Sequence, residues 1–126
     1  MSQQWALTWN VKPGTEEEVI RLFERSGRPD HTVRDGGGNV VGLLKRTSVF
    51  MRQNTVVRVI EFDGEFIDVA KHMGQQREVR DLERELDAYL EVERDLSSPE
   101  KTAAFFASAS MRCVLSRSHD DGEVDD

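Results

Sequence analysis

Residues 43–64, LLKRTSVFMRQNTVVRVIEFDG, decide the fold. Two runs rich in Val, Thr and Phe, residues 43–53 and Thr55–Phe62, flank a turn at Asn54, and Asp63-Gly64 closes the second run. This composition and spacing predict an antiparallel hairpin. Side chains alternate along a strand, so Val56, Arg58, Ile60 and Phe62 oppose Val57, Val59 and Glu61. On either assignment a charged side chain must face inward or sit at the rim.

Working towards the N-terminus, residues 28–42 read as a loop, because Pro29 and the glycines 36–38 oppose regular structure. Before it, Thr15-Glu16-Glu17-Glu18 reads as a capping box, with Thr15 capping and Glu18 reaching back. Val19, Leu22 and Phe23 follow at helical spacing, and Ser26-Gly27 ends that helix. Residues 4–11, QWALTWNV, form a first strand ahead of a Lys12-Pro13-Gly14 turn.

Working towards the C-terminus, a helical region starts near Glu65 with Phe66, Val69, Ala70 and Met73 on one side. Gly74 is expected to interrupt it. Val79, Leu82, Leu86 and Tyr89 then continue an apolar stripe. Pro99 opens a short helix at the position where its missing N–H costs least, and Met111–Leu115 is a last strand.

The order β-α-β-β-α-(α)-β is the ferredoxin-like pattern. It predicts an α+β fold with a four-stranded antiparallel sheet and helices on one face. The bare face is expected to pair with a second copy, giving a homodimer of the dimeric α+β barrel type. Residues 1–118 form the single domain and 119–126 a disordered acidic tail.

Charge supports that division. The chain has 126 residues, 17 basic and 24 acidic, for a net charge of −7. Five of the acids fall in HDDGEVDD, residues 119–126, which leaves about −2 on the rest. An acidic balance argues against a nucleic-acid partner. No apolar run is long enough to cross a membrane, and the first residues do not read as a leader. A lone Cys113 suits a reducing, cytoplasmic setting.

No GxxxxGK[ST], GxGxxG or GxSxG pattern is present. His31, His72 and His119 lack ligand spacing, and one cysteine cannot complete a zinc site. No metal and no cofactor are expected.

In strand one, Leu7, Trp9 and Val11 share the face expected against the helices. Ala6, Thr8 and Asn10 share the other, so Asn10 points into any cavity that face encloses. Arg58 and Arg112 are candidate cations for a ligand, each with an ion pair as its structural alternative. His72 is the one histidine outside a loop or tail and is the candidate proton carrier. Trp9 suits a core, an interface or a pocket for a flat ligand. Cys113 reads as a buried small hydrophobe.

The ordered segments resemble the SchA/CurD-like family of aromatic polyketide gene clusters. The matching stretches are Val11–Gly14 with the acidic helix, Gly27–Asp30, Thr47–Met51 and Val56–Glu61, then Val69–His72, Glu91–Glu100, Phe105-Phe106 and Met111–Val114. The resemblance covers about residues 4–115 and leaves out the acidic tail. It implies a role in type II polyketide biosynthesis, with an aromatic polyketide intermediate as ligand and polyketide synthase components as contacts. The first chemistry implied is cofactor-free cyclisation by aldol condensation and loss of water. There, His72, Arg58 and Asn10 would be catalytic, and Thr8, Trp9, Phe50 and Arg112 would bind substrate. A cofactor-independent monooxygenase converting an anthrone to a quinone is the alternative, with Asn10, Trp9 and Arg58 near the substrate. A non-catalytic accessory protein of the synthase is the third reading.

Overall fold

The computed structural model describes residues 2–117, and the acidic tail lies outside them. Strand β1 runs Gln3–Asn10, helix α1 Glu16–Glu24, β2 Thr32–Arg34, β3 Val40–Arg52 and β4 Thr55–Asp63. Helices α2 (Phe66–Gln75), α3 (Arg77–Leu86) and α4 (Pro99–Ala109) follow, then β5 (Ser110–Arg112). The sheet order is β2-β3-β4-β1-β5, antiparallel throughout. The four expected strands keep the ferredoxin-like order, so the class stands. The strand count does not: among the described residues the sheet has five.

The added strand comes from the segment read as a loop. Val33 is fully buried against Leu44, Phe62 and Val69, which fixes Thr32–Arg34 beside β3. The three glycines form the turn between β2 and β3. Asp35 Oδ1 accepts from the Gly37 and Asn39 amides, both at 2.9 Å. The Asn39 backbone N–H, more than any other contact, holds the Asp35 carboxyl below its usual range.

The capping box does not form. Thr15 Oγ1 donates to the Lys12 carbonyl at 2.6 Å and gives α1 no side-chain cap. Glu16, rather than Glu18, reaches back and accepts from the Gly14 amide. At α4 the expectation holds: Ser98 accepts from the Lys101 amide and Pro99 takes the first position. The break between α2 and α3 falls at Gln76, whose ψ is 130°, and Gly74 stays within α2.

Two apolar clusters fill the space between sheet and helices. Val11, Val19, Leu22, Val56, Leu82, Leu86 and Leu90 form one, under α1 and α3. Val33, Leu44, Ile60, Phe62, Val69, Met73 and Val79 form the other, under α2. Arg58 lies in β4 between Val56 of the first and Ile60 of the second.

Gly64 marks the tightest approach. Its φ is +108°, and a Cβ there would sit 2.6 Å from the Val41 carbonyl oxygen. Gly64→Ala is expected to lower stability by about 2 kcal/mol, since backbone strain of this kind costs about 1–3 kcal/mol. Urea unfolding with an unchanged slope checks it.

Candidate functional site

The register of β4 decides where charge goes. Val56, Arg58, Ile60 and Phe62 all face the helices and are buried. Arg58 is therefore the inward charge that the alternation demands. Its side chain is 7% exposed, and its Nη1 donates to Glu83 Oε1 at 3.3 Å. Burial is the main influence on Arg58 and pushes its pKa down; Glu83 raises it and Arg94 lowers it further.

Glu83 belongs to the same buried cluster. Its Oε2 accepts from Arg94 Nη2 at 2.5 Å, and its backbone carbonyl accepts from the same nitrogen at 3.2 Å. Arg94 Nε in turn donates to Asp87 Oδ1 at 2.8 Å, and its guanidinium lies 5.3 Å over the Phe105 ring. Two buried guanidinium atoms have no partner among the described residues: Arg58 Nε and Arg94 Nη1. Leaving such donors unpaired is costly, and the usual remedy is a water or a ligand oxygen.

Space exists beside Arg58. A cleft of about 370 Å³ opens between α1, α3 and β3, with Phe23, Leu44, Val49, Arg58, Val79 and Leu82 in its lining. Its size is that of a small-molecule site. His31 and the Gly27–Pro29 segment also line it. On its other side Arg58 touches an apolar hollow of about 20 Å³ bounded by Leu7, Ile60, Phe66, Ala70, Met73 and Phe106. That hollow has room for about one water.

A bulge in β3 creates the cleft. The register shifts between Leu44 and Arg46, which turns Thr47, Val49 and Met51 to the helix side, opposite Ile60, Arg58 and Val56. No helix covers Thr47 or Val49, so both are exposed. The same shift sends Phe50 to the bare face.

The candidate residues named from sequence lie in separate places. Thr8, Asn10 and Phe50 share the bare face of the sheet, by register with Val57 and Thr55. Asn10 Oδ1 accepts from Thr55 Oγ1 at 2.9 Å, and Thr8 Oγ1 donates to the Val56 carbonyl at 3.2 Å. Trp9 faces the helices and packs against the first apolar cluster, with its indole N–H buried and without a partner among the described residues. Arg112 is exposed on the edge strand β5 beside Trp5. His72 is buried in α2, with Nε2 2.7 Å from the Asp30 carbonyl oxygen, and lines neither cavity that touches Arg58. Cys113 follows β5 and is exposed, which corrects its reading as a buried hydrophobe; β5 ends at Arg112, too early to cover it.

Glu83, Arg94 and Asp87 were missed from sequence. Glu83 carried a signal, since it sits on the same helical stripe as Val79, Leu82 and Leu86 and shares their burial. Arg94 lies in an irregular segment, where no periodicity marks an inward side chain.

These features define an α+β domain with one face of its sheet under helices and a buried cation lining a cleft of mixed polar and apolar walls. The chain belongs to the SchA/CurD like domain family, whose model matches residues 2–119. It is similar to "Polyketide synthase CurD" of Streptomyces cyaneus, 39% identical over 109 residues, 86% of this chain and 28% of the relative. It is similar also to the "42.8 kDa protein in whiE locus" of Streptomyces coelicolor, at 41% over 86% of this chain and 26% of the relative. "Protein SchA" of Streptomyces halstedii is 35% identical over 86% of this chain and 27% of that protein. The chain thus spans little more than a quarter of the length of these curated relatives. No solved structure matches it. Among the described residues no helix is long and apolar enough to cross a membrane.

Proposed function

We propose that this chain acts in aromatic polyketide biosynthesis as a cofactor-free cyclase, binding a ketide in the cleft above Arg58. The observation that carries the reading is Arg58: a buried cation, its Nε–H without a partner among the described residues, that lines a ligand-sized cleft of mixed polar and apolar walls. The printed name of the Streptomyces cyaneus relative, a polyketide synthase, supports the substrate class.

The chemistry suits so sparse a site. A methylene between two ketones loses a proton readily, and the resulting enolate carbon attacks a second carbonyl of the same chain. The new alkoxide takes up a proton, and the hydroxyl then leaves with a neighbouring hydrogen as water. The cleft walls, with Phe23, Leu44, Val49 and Leu82 as their apolar part, hold the chain in the productive fold. Arg58, in low dielectric, stabilises the negative oxygen of the enolate more strongly than it would in water. His31 in the cleft lining is placed to carry the proton. His72 supports it indirectly, by holding the carbonyl of the preceding residue, Asp30.

The test is turnover of a partly cyclised aromatic ketide under air and under argon. Loss of water at equal rates supports the reading. An oxygen-dependent gain of one oxygen atom overturns it in favour of a monooxygenase. Binding without any turnover overturns it in favour of an accessory role beside the synthase.

A second copy of the chain covering the bare face belongs to the same proposal. Met111, Ala6, Val59, Val57 and Phe50 form an apolar strip across four strands there, and Phe50 is 58% exposed. Apolar strips of this kind mark interaction surfaces. Phe50→Glu is expected to weaken the dimer by about 30-fold or more, as loss of a central interface side chain does. Light scattering across a dilution series reads it. A wild-type chain that stays monomeric at high concentration contradicts the dimer.

A further inference from the structure

We propose that Asp87, Arg94 and Glu83 form a positioning chain that fixes the aim of Arg58, so that a half-exposed carboxylate sets the geometry of the cleft floor. The inference rests on the reading that Arg58 meets the ligand, and it deepens it. Its basis is the uneven sharing of Glu83.

Arg58 is held by one side-chain bond, to Glu83 Oε1 at 3.3 Å. That is long for a charge-assisted contact, for which about 2.7–2.9 Å is usual. Arg94 holds the same carboxylate at 2.5 Å and its backbone carbonyl at 3.2 Å. Arg94 is therefore the stronger claimant on Glu83. It leaves Oε1 to Arg58 because its own Nε is engaged by Asp87 at 2.8 Å. The Phe105 ring beneath the guanidinium adds a further restraint. The four charges balance, two guanidinium groups against two carboxylates. Neutralising Asp87 leaves Arg94 with one acid instead of two. Arg94 then draws both Glu83 oxygens, and Arg58 loses the one side-chain partner it has among the described residues.

Asp87 is the place to break the chain without emptying the core. Its side chain is 43% exposed, whereas that of Arg94 is 3% exposed. It also lines a separate groove of about 450 Å³, together with Arg94 and the first residues of α4. Asp87 does not line the Arg58 cleft, and the ionic chain through Arg94 and Glu83 links it to Arg58.

The experiment is arginine side-chain NMR on the whole chain, without ligand. Hydrogen exchange at the Nε–H of Arg58 is followed in wild type, Asp87→Asn and Asp87→Glu. Asp81→Asn is the control; it removes two exposed ion pairs from the same helix. In Asp87→Asn, Arg58 Nε–H is expected to exchange about tenfold faster, a coupling typical of residues in one ionic network. Asp87→Glu restores protection, and Asp81→Asn leaves Arg58 unchanged, with backbone amides of β4 unaltered in all variants. Unchanged Arg58 exchange in Asp87→Asn overturns the proposal. So does an Arg58 that exchanges in wild type as fast as exposed arginines. Because no ligand is present, failure of the cyclase reading leaves this result intact. Where a ketide is turned over, Asp87→Asn lowers kcat and leaves KM near its original value, a split that simple destabilisation does not produce.

Discussion

Glu83→Ala is expected to cost about 3–5 kcal/mol of folding stability, the range for breaking a buried ion pair from one side. The residue is 3% exposed and, among the described residues, is the only acid bonded to Arg58. Its removal leaves Arg58 buried without a counter-ion and Arg94 with Asp87 alone. A guanidinium left buried without its counter-ion carries an uncompensated desolvation cost. The chain must then open towards water or rearrange. Replacing both partners tests this account against simple loss of contacts. In Glu83→Leu with Arg58→Met, the remaining pair Arg94–Asp87 is neutral, and apolar side chains of similar size fill the gap between the two clusters. Such exchanges are often neutral or stabilising. The double variant is therefore expected to be more stable than Glu83→Ala. Urea unfolding of the two side by side reads the difference. A double variant no more stable than Glu83→Ala contradicts the charge argument.

Arg58→Met alone separates stability from function. It removes one cation and leaves Glu83 bonded to Arg94, so the buried cluster keeps a partner for every carboxylate. The fold should survive. Turnover should not: loss of one preorganised donor to a developing negative oxygen costs about 10²–10³ in kcat. The effect should fall on kcat more than on KM, because the enolate charge develops only along the reaction. Arg58→Lys is expected to recover little, since an ammonium presents its three donors from one point and lacks the planar fork of a guanidinium.

Much of this architecture was legible in residues 43–64. The alternation in Thr55–Phe62 put Val56, Arg58, Ile60 and Phe62 on one face and required a charge, Arg58 or Glu61, to face inward or sit at the rim; the burial of β4 selects Arg58. The stripe of Val79, Leu82 and Leu86 likewise sits in the core. Other features depend on tertiary pairing that no local pattern encodes. β2 is three residues long and bounded by a proline segment and a glycine turn, so propensity alone favoured a loop. Burial of Val33 against Leu44 and Phe62 outweighs that preference.

The candidate site was less legible than the fold. Strict alternation through 43–53 would have kept Leu44 and Phe50 on one face. The bulge at Lys45 parts them, and this places Phe50 with Thr8 and Asn10 on the bare sheet, away from Arg58. Arg94 comes from an irregular segment and reaches Glu83 across eleven residues, a contact set by how that segment folds back over α3.

The central claim is that the ligand binds on the helix side of the sheet, over Arg58. Chemical-shift mapping with a dihydroxyanthraquinone, a flat aromatic ketone with phenolic oxygens, tests it most directly. The account predicts shifts at Phe23, Leu44, Val49 and Leu82, together with a displaced Arg58 Nε–H signal, all lost or reduced in Arg58→Met. Shifts confined to Thr8, Asn10, Phe50 and Val57 on the bare face would contradict it.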